Sequence, residues 1–170
     1  MERKTLRKWF WAWDFDKEEE WLEELARNGW ALDGVGFCTY HFIKTEPGEY
    51  SVRLQYLPMA EESCDYSSLL EESGAERVGR MVQWVYYRKK TADGPFEIFS
   101  DLDSRIGHLE KIARLMLIIA ICNLLIGVVN SLNPVHFGWI NLLCASLLTY
   151  GLGRIHGKKE ALEKERRFRE

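Results

Sequence analysis

The stretch from Ile112 to Leu132 reads IARLMLIIAICNLLIGVVNSL and contains one charged residue, Arg114. A second stretch, from Val135 to Leu152, reads VHFGWINLLCASLLTYGL and contains no Asp, Glu, Lys or Arg. Helices of these lengths are roughly 27–31 Å long, close to the thickness of a bilayer's hydrocarbon core. Asn133-Pro134 is a turn signal, because proline cannot continue the first helix. The pattern predicts a two-helix transmembrane hairpin.

A buried pair of helices in a soluble protein is the alternative explanation of these two apolar stretches. A helix that packs on one side only shows a polar stripe on its other side. Both stretches are apolar on all sides, which favours the membrane.

The charges that flank the two stretches predict their orientation. Basic residues lie on the flanks, at Arg105, Lys111, Arg114, Arg154, Lys158 and Lys159. The connecting loop carries no Asp, Glu, Lys or Arg, and the amino terminus shows no secretory signal. The positive-inside rule therefore predicts a two-pass protein of the cell membrane with both termini in the cytoplasm.

Charge is divided unevenly along the 170 residues. Residues 1–110 hold 14 Lys/Arg against 22 Asp/Glu, whereas residues 111–170 hold 9 against 4. A cytoplasmic part with this acidic excess is not expected to bind nucleic acid, since phosphate contacts need cations. The four cysteines lack metal-ligand spacing, and we expect free thiols, no metal and no cofactor.

The first hundred residues alternate between strand and helix patterns. Acidic residues crowd the first turn of a predicted helix that starts near Lys17, and Asn28-Gly29 ends it. A second, shorter helix is predicted at Cys64–Ser73. Strands are predicted at Thr5–Trp13, Trp30–Ile43, Glu49–Leu57 and Val78–Lys90. The order β-α-β-β-α-β predicts an α+β, ferredoxin-like domain with a four-stranded antiparallel sheet.

Two sets of residues in this domain are candidates for a binding surface. Trp9, Trp11 and Trp13 share one side of the first predicted strand, and they either lie in the core beneath the helices or form an aromatic patch on the open face. Polar side chains on the other rows predict a ligand or partner surface, with a solvated face as the alternative. These are Arg53, Gln55, Gln83, Tyr87 and Lys89.

Catalytic chemistry is not indicated. No Walker loop, GxSxG elbow, GxGxxG or HExxH motif occurs, and His41 is the one histidine inside the domain. Within the apolar stretches, Asn123 and Asn141 are predicted to stabilise helix–helix packing by hydrogen bonds. We therefore expect a protein that is not an enzyme.

The assembled residues resemble a bacterial membrane protein family catalogued as domain of unknown function 2812, over roughly residues 5–105. The resemblance implies a protein of Gram-positive-type bacteria, with a membrane hairpin and a frequent gene neighbourhood with a PadR-like transcriptional regulator. It implies no reaction and no catalytic residues. The residues that carry it are Trp11-Ala-Trp13, Lys17-Glu-Glu-Glu-Trp-Leu-Glu-Glu-Leu-Ala26, Asn28-Gly-Trp30, Tyr40-His-Phe42, Pro47-Gly-Glu-Tyr50, Arg53, Trp84-Val-Tyr-Tyr-Arg-Lys89 and Phe96.

The sequence thus predicts a membrane-anchored cytoplasmic domain that binds a ligand or a regulatory protein, in envelope-stress or transcription-linked regulation. The alternative is an accessory subunit of a membrane transporter that docks through its hairpin. The expected partners are the lipid bilayer and a membrane or regulatory protein, and a homo-oligomer is compatible with the pattern. The predicted segments are a domain at 1–100, a juxtamembrane helix at 101–111, transmembrane helices at 112–132 and 135–153, and a charged helical tail at 154–170.

Overall fold

The structure is a computed structural model that describes residues 2–59, 70, 72–99, 101–132 and 137–169. The chain divides into a first unit, Met1–Ile98, and a second unit, Phe99–Glu170. The strands are β1 (Arg3–Arg7), β2 (Trp30–Gly36), β3 (Thr39–Lys44), β4 (Tyr50–Tyr56), β5 (Ala75–Met81) and β6 (Trp84–Lys90). The helices are α1 (Phe15–Arg27), α2 (Leu102–Leu132) and α3 (Gly138–Arg169), and short 3-10 turns occur at Ala12–Asp14 and Thr91–Asp93.

The first unit repeats one strand arrangement twice. Its two antiparallel sheets have the orders β1-β3-β2 and β4-β6-β5, so in each sheet the first strand pairs with the last. In each sheet the last two strands form a hairpin, and the register of the hairpin shifts at equivalent places, between Leu32 and Gly34 and between Arg77 and Gly79. The segment that joins β4 to β5 lies largely outside the described residues, as does the predicted helix Cys64–Ser73.

The α+β class is confirmed, but the expected single four-stranded sheet is replaced by two three-stranded sheets. The predicted strands Trp30–Ile43 and Val78–Lys90 are each a hairpin, because the chain reverses after two residues at Phe37-Cys38 and Val82-Gln83. No glycine or asparagine marks either turn, and Cys38 and Val82 adopt positive φ angles of 52° and 57°. The usual sequence signal of a hairpin is therefore missing from both.

The core of the first unit combines α1 with both sheets. Leu22 of α1 packs against Leu32, Phe42 and Leu54, and aromatic rings surround this group. Helix α1 ends at Arg27, and Gly29, which follows the C-cap residue Asn28, has a φ of 80° that glycine adopts without strain.

One carboxylate connects α1 to both sheets. Oε1 of Glu18 accepts hydrogen bonds from the hydroxyl of Tyr40 on β3, at 2.7 Å, and from the hydroxyl of Tyr86 on β6, at 2.6 Å. Glu18 is 6 % exposed and both tyrosines are buried. Burial raises the pKa of Glu18, and the two tyrosine hydrogen bonds offset only part of that rise. Burial beside Glu18 also raises the pKa of both tyrosines.

Carboxylates of α1 also cover the free edge of β4. Oε1 of Glu23 accepts from the backbone N–H of Val52 at 2.9 Å and from the guanidinium of Arg53 at 2.5 Å. Oε2 of Glu19 accepts from the backbone N–H of Leu54 at 2.9 Å. These contacts occupy donors that an edge strand would otherwise expose.

Strands β2 and β5 lie side by side and run in the same direction. The guanidinium of Arg88, which binds Glu76 of β5, donates to the carbonyl of Leu32 at 2.8 Å. Three residues further along each strand, Gly79 approaches Val35 so closely that an added Cβ would lie 2.8 Å from a Val35 methyl group. Both hairpin turns consequently lie at the same end of the unit.

The second unit is an antiparallel pair of long helices. Gly127 of α2 lies against Leu142 of α3, where an added Cβ would be 2.8 Å from a leucine methyl group. Where the first part of α2 lies beside the last part of α3, Lys159 binds Glu110 at 2.6 Å and Arg166 binds Asp103 at 2.6 Å. The predicted 101–111 and 112–132 segments form one continuous helix, and the 154–170 tail continues α3 up to Arg169.

Among the described residues, α2 is the one helix that is long and apolar enough to cross a membrane. Only 22 % of an apolar 18-residue stretch of α2 is buried within the structure, whereas a core helix of a soluble protein is mostly buried. The amide of Asn123 donates to the carbonyl of Ile119 in the same helix, at 2.9 Å. Its hydrogen bond is therefore made within α2, and the predicted role of Asn123 and Asn141 between helices stays a prediction.

We predict that Glu18→Leu lowers the free energy of unfolding by about 2–4 kcal/mol, because it removes the acceptor of two buried hydroxyls. Glu20→Leu is the matched control, since Glu20 is exposed on the same helix. Urea titration of the full chain in mild detergent, followed by tryptophan fluorescence, measures both variants. Equal destabilisation by the two substitutions would contradict the structural role of Glu18.

The raised pKa of Glu18 predicts a pH dependence of stability. The folded state holds the proton more tightly than the unfolded state, so this stabilising contribution is complete below the unfolded pKa of about 4.3 and disappears as pH rises through the folded value. The urea midpoint of the wild type should therefore fall relative to that of Glu18→Gln between pH 4 and pH 8. Parallel midpoint curves for the two proteins would show that the folded and unfolded pKa values are the same.

Candidate functional site

Five large apolar side chains of the described part of the first unit are exposed, and they lie at one end of it. Their exposed fractions range from 41 % for Trp11 to 78 % for Phe37. We call this group the tip surface. Its members are Trp9, Trp11, Phe37, Met59 and Val82.

The backbone brings these residues to the same end. Phe37 and Val82 lie in the two hairpin turns. The N–H of Lys8 donates to the carbonyl of Cys38 at 3.2 Å, which holds the segment carrying Trp9 and Trp11 beside the first turn. The N–H of Leu57 donates to the carbonyl of Gln83 at 2.7 Å, which holds the segment before Met59 beside the second turn.

Ring contacts order the tryptophans of the tip surface. Trp9 meets Phe37 and Trp11 edge-on, with ring centroids 6.1 and 5.3 Å apart. Trp11 stacks on Trp13 at 4.9 Å, and Trp13 is only 5 % exposed. The three tryptophans do not share one strand face as predicted, because β1 ends at Arg7 and Trp13 lies in a 3-10 turn. Trp13 belongs to the interior, while Trp9 and Trp11 form an aromatic patch.

Two arginines lie beside the hairpin turns of the tip surface, although residues 1–110 are acidic overall. Arg7 pairs with Thr39 next to the first turn, whereas the ammonium of Lys8 lies over the rings of Phe10 and Trp21, 4.8 and 4.6 Å from their centroids. Arg80 donates to the carbonyl of Val82 at 2.9 Å and to that of Leu57 at 2.7 Å, so its guanidinium is fixed at the second turn. The nearby Asp14 is paired with Lys17 at 2.8 Å. Each of the two hairpin turns of the tip surface therefore has an arginine beside it.

Most of the predicted polar surface on β4 and β6 is closed to solvent. Gln55, Tyr87 and Lys89 are buried, and Arg53 is ion-paired with Glu23. Tyr87 belongs to a second apolar cluster that covers this side of the sheet β4-β6-β5. The other members of that cluster are Leu57, Leu70, Ala75, Val85 and Phe96. The alternation of the sequence showed that these side chains share one face of the sheet. It did not show that other parts of the chain pack against that face.

Gln83 is the member of the predicted set that lies at the tip surface. It follows Val82 in the second turn, and its side-chain oxygen accepts from the hydroxyl of Tyr56. Sequence reasoning missed Phe37, Met59 and Val82. For Phe37 and Val82 the available signal was an apolar residue in a two-residue turn, but it became readable only once the hairpins were known.

No reactive cluster accompanies the tip surface in the described residues. His41 is exposed, and its Nδ1 lies 3.0 Å from the Thr5 hydroxyl. Within the same described part of the chain, no group of three His, Cys, Asp or Glu side chains is arranged to hold a metal ion.

Fold and site together define a class of protein: an α+β domain with an exposed apolar end, joined to a pair of long helices of which α2 could cross a membrane. The chain belongs to the family described as Protein of unknown function (DUF2812), whose family model matches residues 14–121. The match runs from the 3-10 turn before α1 into α2, and it confirms the resemblance. No curated protein and no solved structure matches the chain.

Val82 is a strained residue, because a β-branched side chain rarely adopts a φ of 57°. We predict that Val82→Gly raises the free energy of unfolding by about 1 kcal/mol, since glycine adopts this conformation without steric cost. Val82→Ala keeps a β-carbon and is the matched control, with a smaller gain. Urea titration compares the three proteins, and a glycine variant less stable than the wild type would show that the turn is not strained.

Proposed function

We propose that this protein is a non-enzymatic, two-pass membrane protein whose cytoplasmic domain is a binding module in regulation. The observation that carries the proposal is the tip surface. Monomeric soluble proteins seldom gather their large exposed apolar side chains in one place, and such patches usually mark an interaction site.

The anchor of this module consists of α2 and α3. In both helices large apolar side chains point away from the partner helix, among them Leu125 of α2 and Leu143 of α3, each about 60 % exposed. Lipid tails are the environment in which such a surface is stable. The basic residues at the outer ends of the two helices favour a cytoplasmic location for the first unit and for the carboxyl-terminal end.

The topology of the proposed anchor is tested with single-cysteine variants of the full chain, with the four native cysteines replaced. Phe137→Cys, just before α3, should react with a membrane-impermeant maleimide in intact cells. Ala92→Cys and Phe168→Cys should react only after the cells are permeabilised. Reaction of Ala92→Cys in intact cells, or release of the protein by alkaline carbonate, would overturn the two-pass arrangement.

The binding role is tested with a photo-crosslinking amino acid at Phe37, in the tip surface, in membranes of the expressing cells. Ala92 is the matched control position, because it is also exposed but lies at the other end of β6. A cross-linked protein or lipid that is obtained from position 37 and not from position 92 would support the proposal. A cross-linker at Leu143 of α3 that captures a transporter subunit, with none captured from position 37, would favour the accessory-subunit alternative.

A further inference from the structure

We propose that the tip surface docks onto the anionic cytoplasmic leaflet of the membrane that holds α2. This inference rests on the proposed function, from which it takes the membrane anchor and the cytoplasmic location. It adds the identity of the surface that the domain binds.

The side chains of the tip surface suit the boundary between water and lipid. Tryptophan is enriched at that boundary, where its apolar ring and its polar N–H each find a suitable environment. Trp9 and Trp11 provide two such rings, and Phe37 and Val82 project from adjacent hairpin turns. Projecting apolar side chains can enter a fluid lipid surface without the matching pocket that a protein partner must supply.

Charge complementarity selects lipid of negative charge. The acidic excess of residues 1–110 repels an anionic leaflet, so a face with local cations is the one that can approach it. Arg7 and Arg80 provide those cations beside the two hairpin turns. The repulsion acts on the rest of the unit and thereby favours an orientation in which the tip surface faces the lipid.

The short connection between the first unit and α2 allows even a weak contact with the membrane to stay occupied. The first unit ends at Ile98, and the apolar stretch of α2 begins at Ile112, about a dozen residues later. A domain held this close to a surface meets it at a high effective concentration, so a small contact area can stay occupied. A protein partner in a stable complex would have to bury about 800 Å² on each side.

Docking onto lipid also explains the conformation of Val82. A glycine would suit the turn better, yet the position carries a β-branched apolar residue at a φ of 57°. An exposed residue that costs stability points to a function of the side chain itself. Contact with lipid gives that side chain a function.

The experiment places a spin label at single cysteines of the full chain in lipid nanodiscs and measures its accessibility to oxygen and to a water-soluble nickel chelate. Phe37→Cys and Val82→Cys report on the tip surface, Ala92→Cys is the exposed control, and Ile126→Cys in α2 reports on the anchor. With about 30 % phosphatidylglycerol, the oxygen-to-nickel ratio at both tip positions should be at least about threefold that of the control. In purely zwitterionic discs the ratio should fall towards the control value.

A charge substitution tests the electrostatic part. Arg7→Glu should lower the ratio at the Val82 label in anionic discs at least twofold, to about the zwitterionic value. Lys90→Glu makes the same change of charge at the opposite end of β6 and should leave the ratio unchanged. Equal effects of the two substitutions would overturn the role of the local cations.

The remaining outcomes separate this inference from the proposed function. If the tip labels are as accessible to nickel as the control while Ile126→Cys lies in lipid, the docking is wrong and the anchor stands. If Ile126→Cys is itself accessible to nickel, both proposals are wrong. Tip labels that are shielded from oxygen and nickel alike would indicate a protein contact and would also overturn the docking to lipid.

Discussion

The first unit depends on the carboxylate of Glu18, which joins three elements that are distant in sequence. A single oxygen accepts from Tyr40 of β3 and Tyr86 of β6, so α1 is fixed to both sheets at one point. A buried carboxylate is costly unless it is hydrogen-bonded, and hydroxyls buried beside it are equally costly without an acceptor. Each of the three groups therefore requires the other two. Glu23 adds a second connection, by covering the edge of β4.

The arrangement of the two sheets also determines which exposed apolar residues lie together at one end of the first unit. Because β2 and β5 run side by side in the same direction, the hairpins that they begin both turn at one end of the unit. The residues in those turns, Phe37 and Val82, are thus gathered with Trp9 and Trp11 although they are far apart along the chain. The interior hydrogen bonds and the exposed apolar end are two results of the same arrangement.

Sequence reasoning succeeded where the signal was local. The acidic first turn and Asn28-Gly29 located α1 correctly, and the apolar stretch from Ile112 located the helix that can cross a membrane. It failed at the hairpins, because Cys38 and Val82 occupy positions where glycine or asparagine is expected, and a strand pattern continues across both turns. It also took Gln55 and Lys89 for surface residues, since alternation separates the two faces of a strand without showing which face is covered.

By itself the sequence determined the α+β class, the family, the uneven charge and the membrane-compatible helix, because composition and short-range periodicity carry these properties. Only the tertiary structure decided that Glu18 is a buried acceptor rather than one more acid on an exposed helix face. Likewise, it alone decided that five scattered apolar residues form one surface. Both facts depend on which strands are neighbours, and strand pairing is a contact between distant parts of the chain that no local pattern encodes.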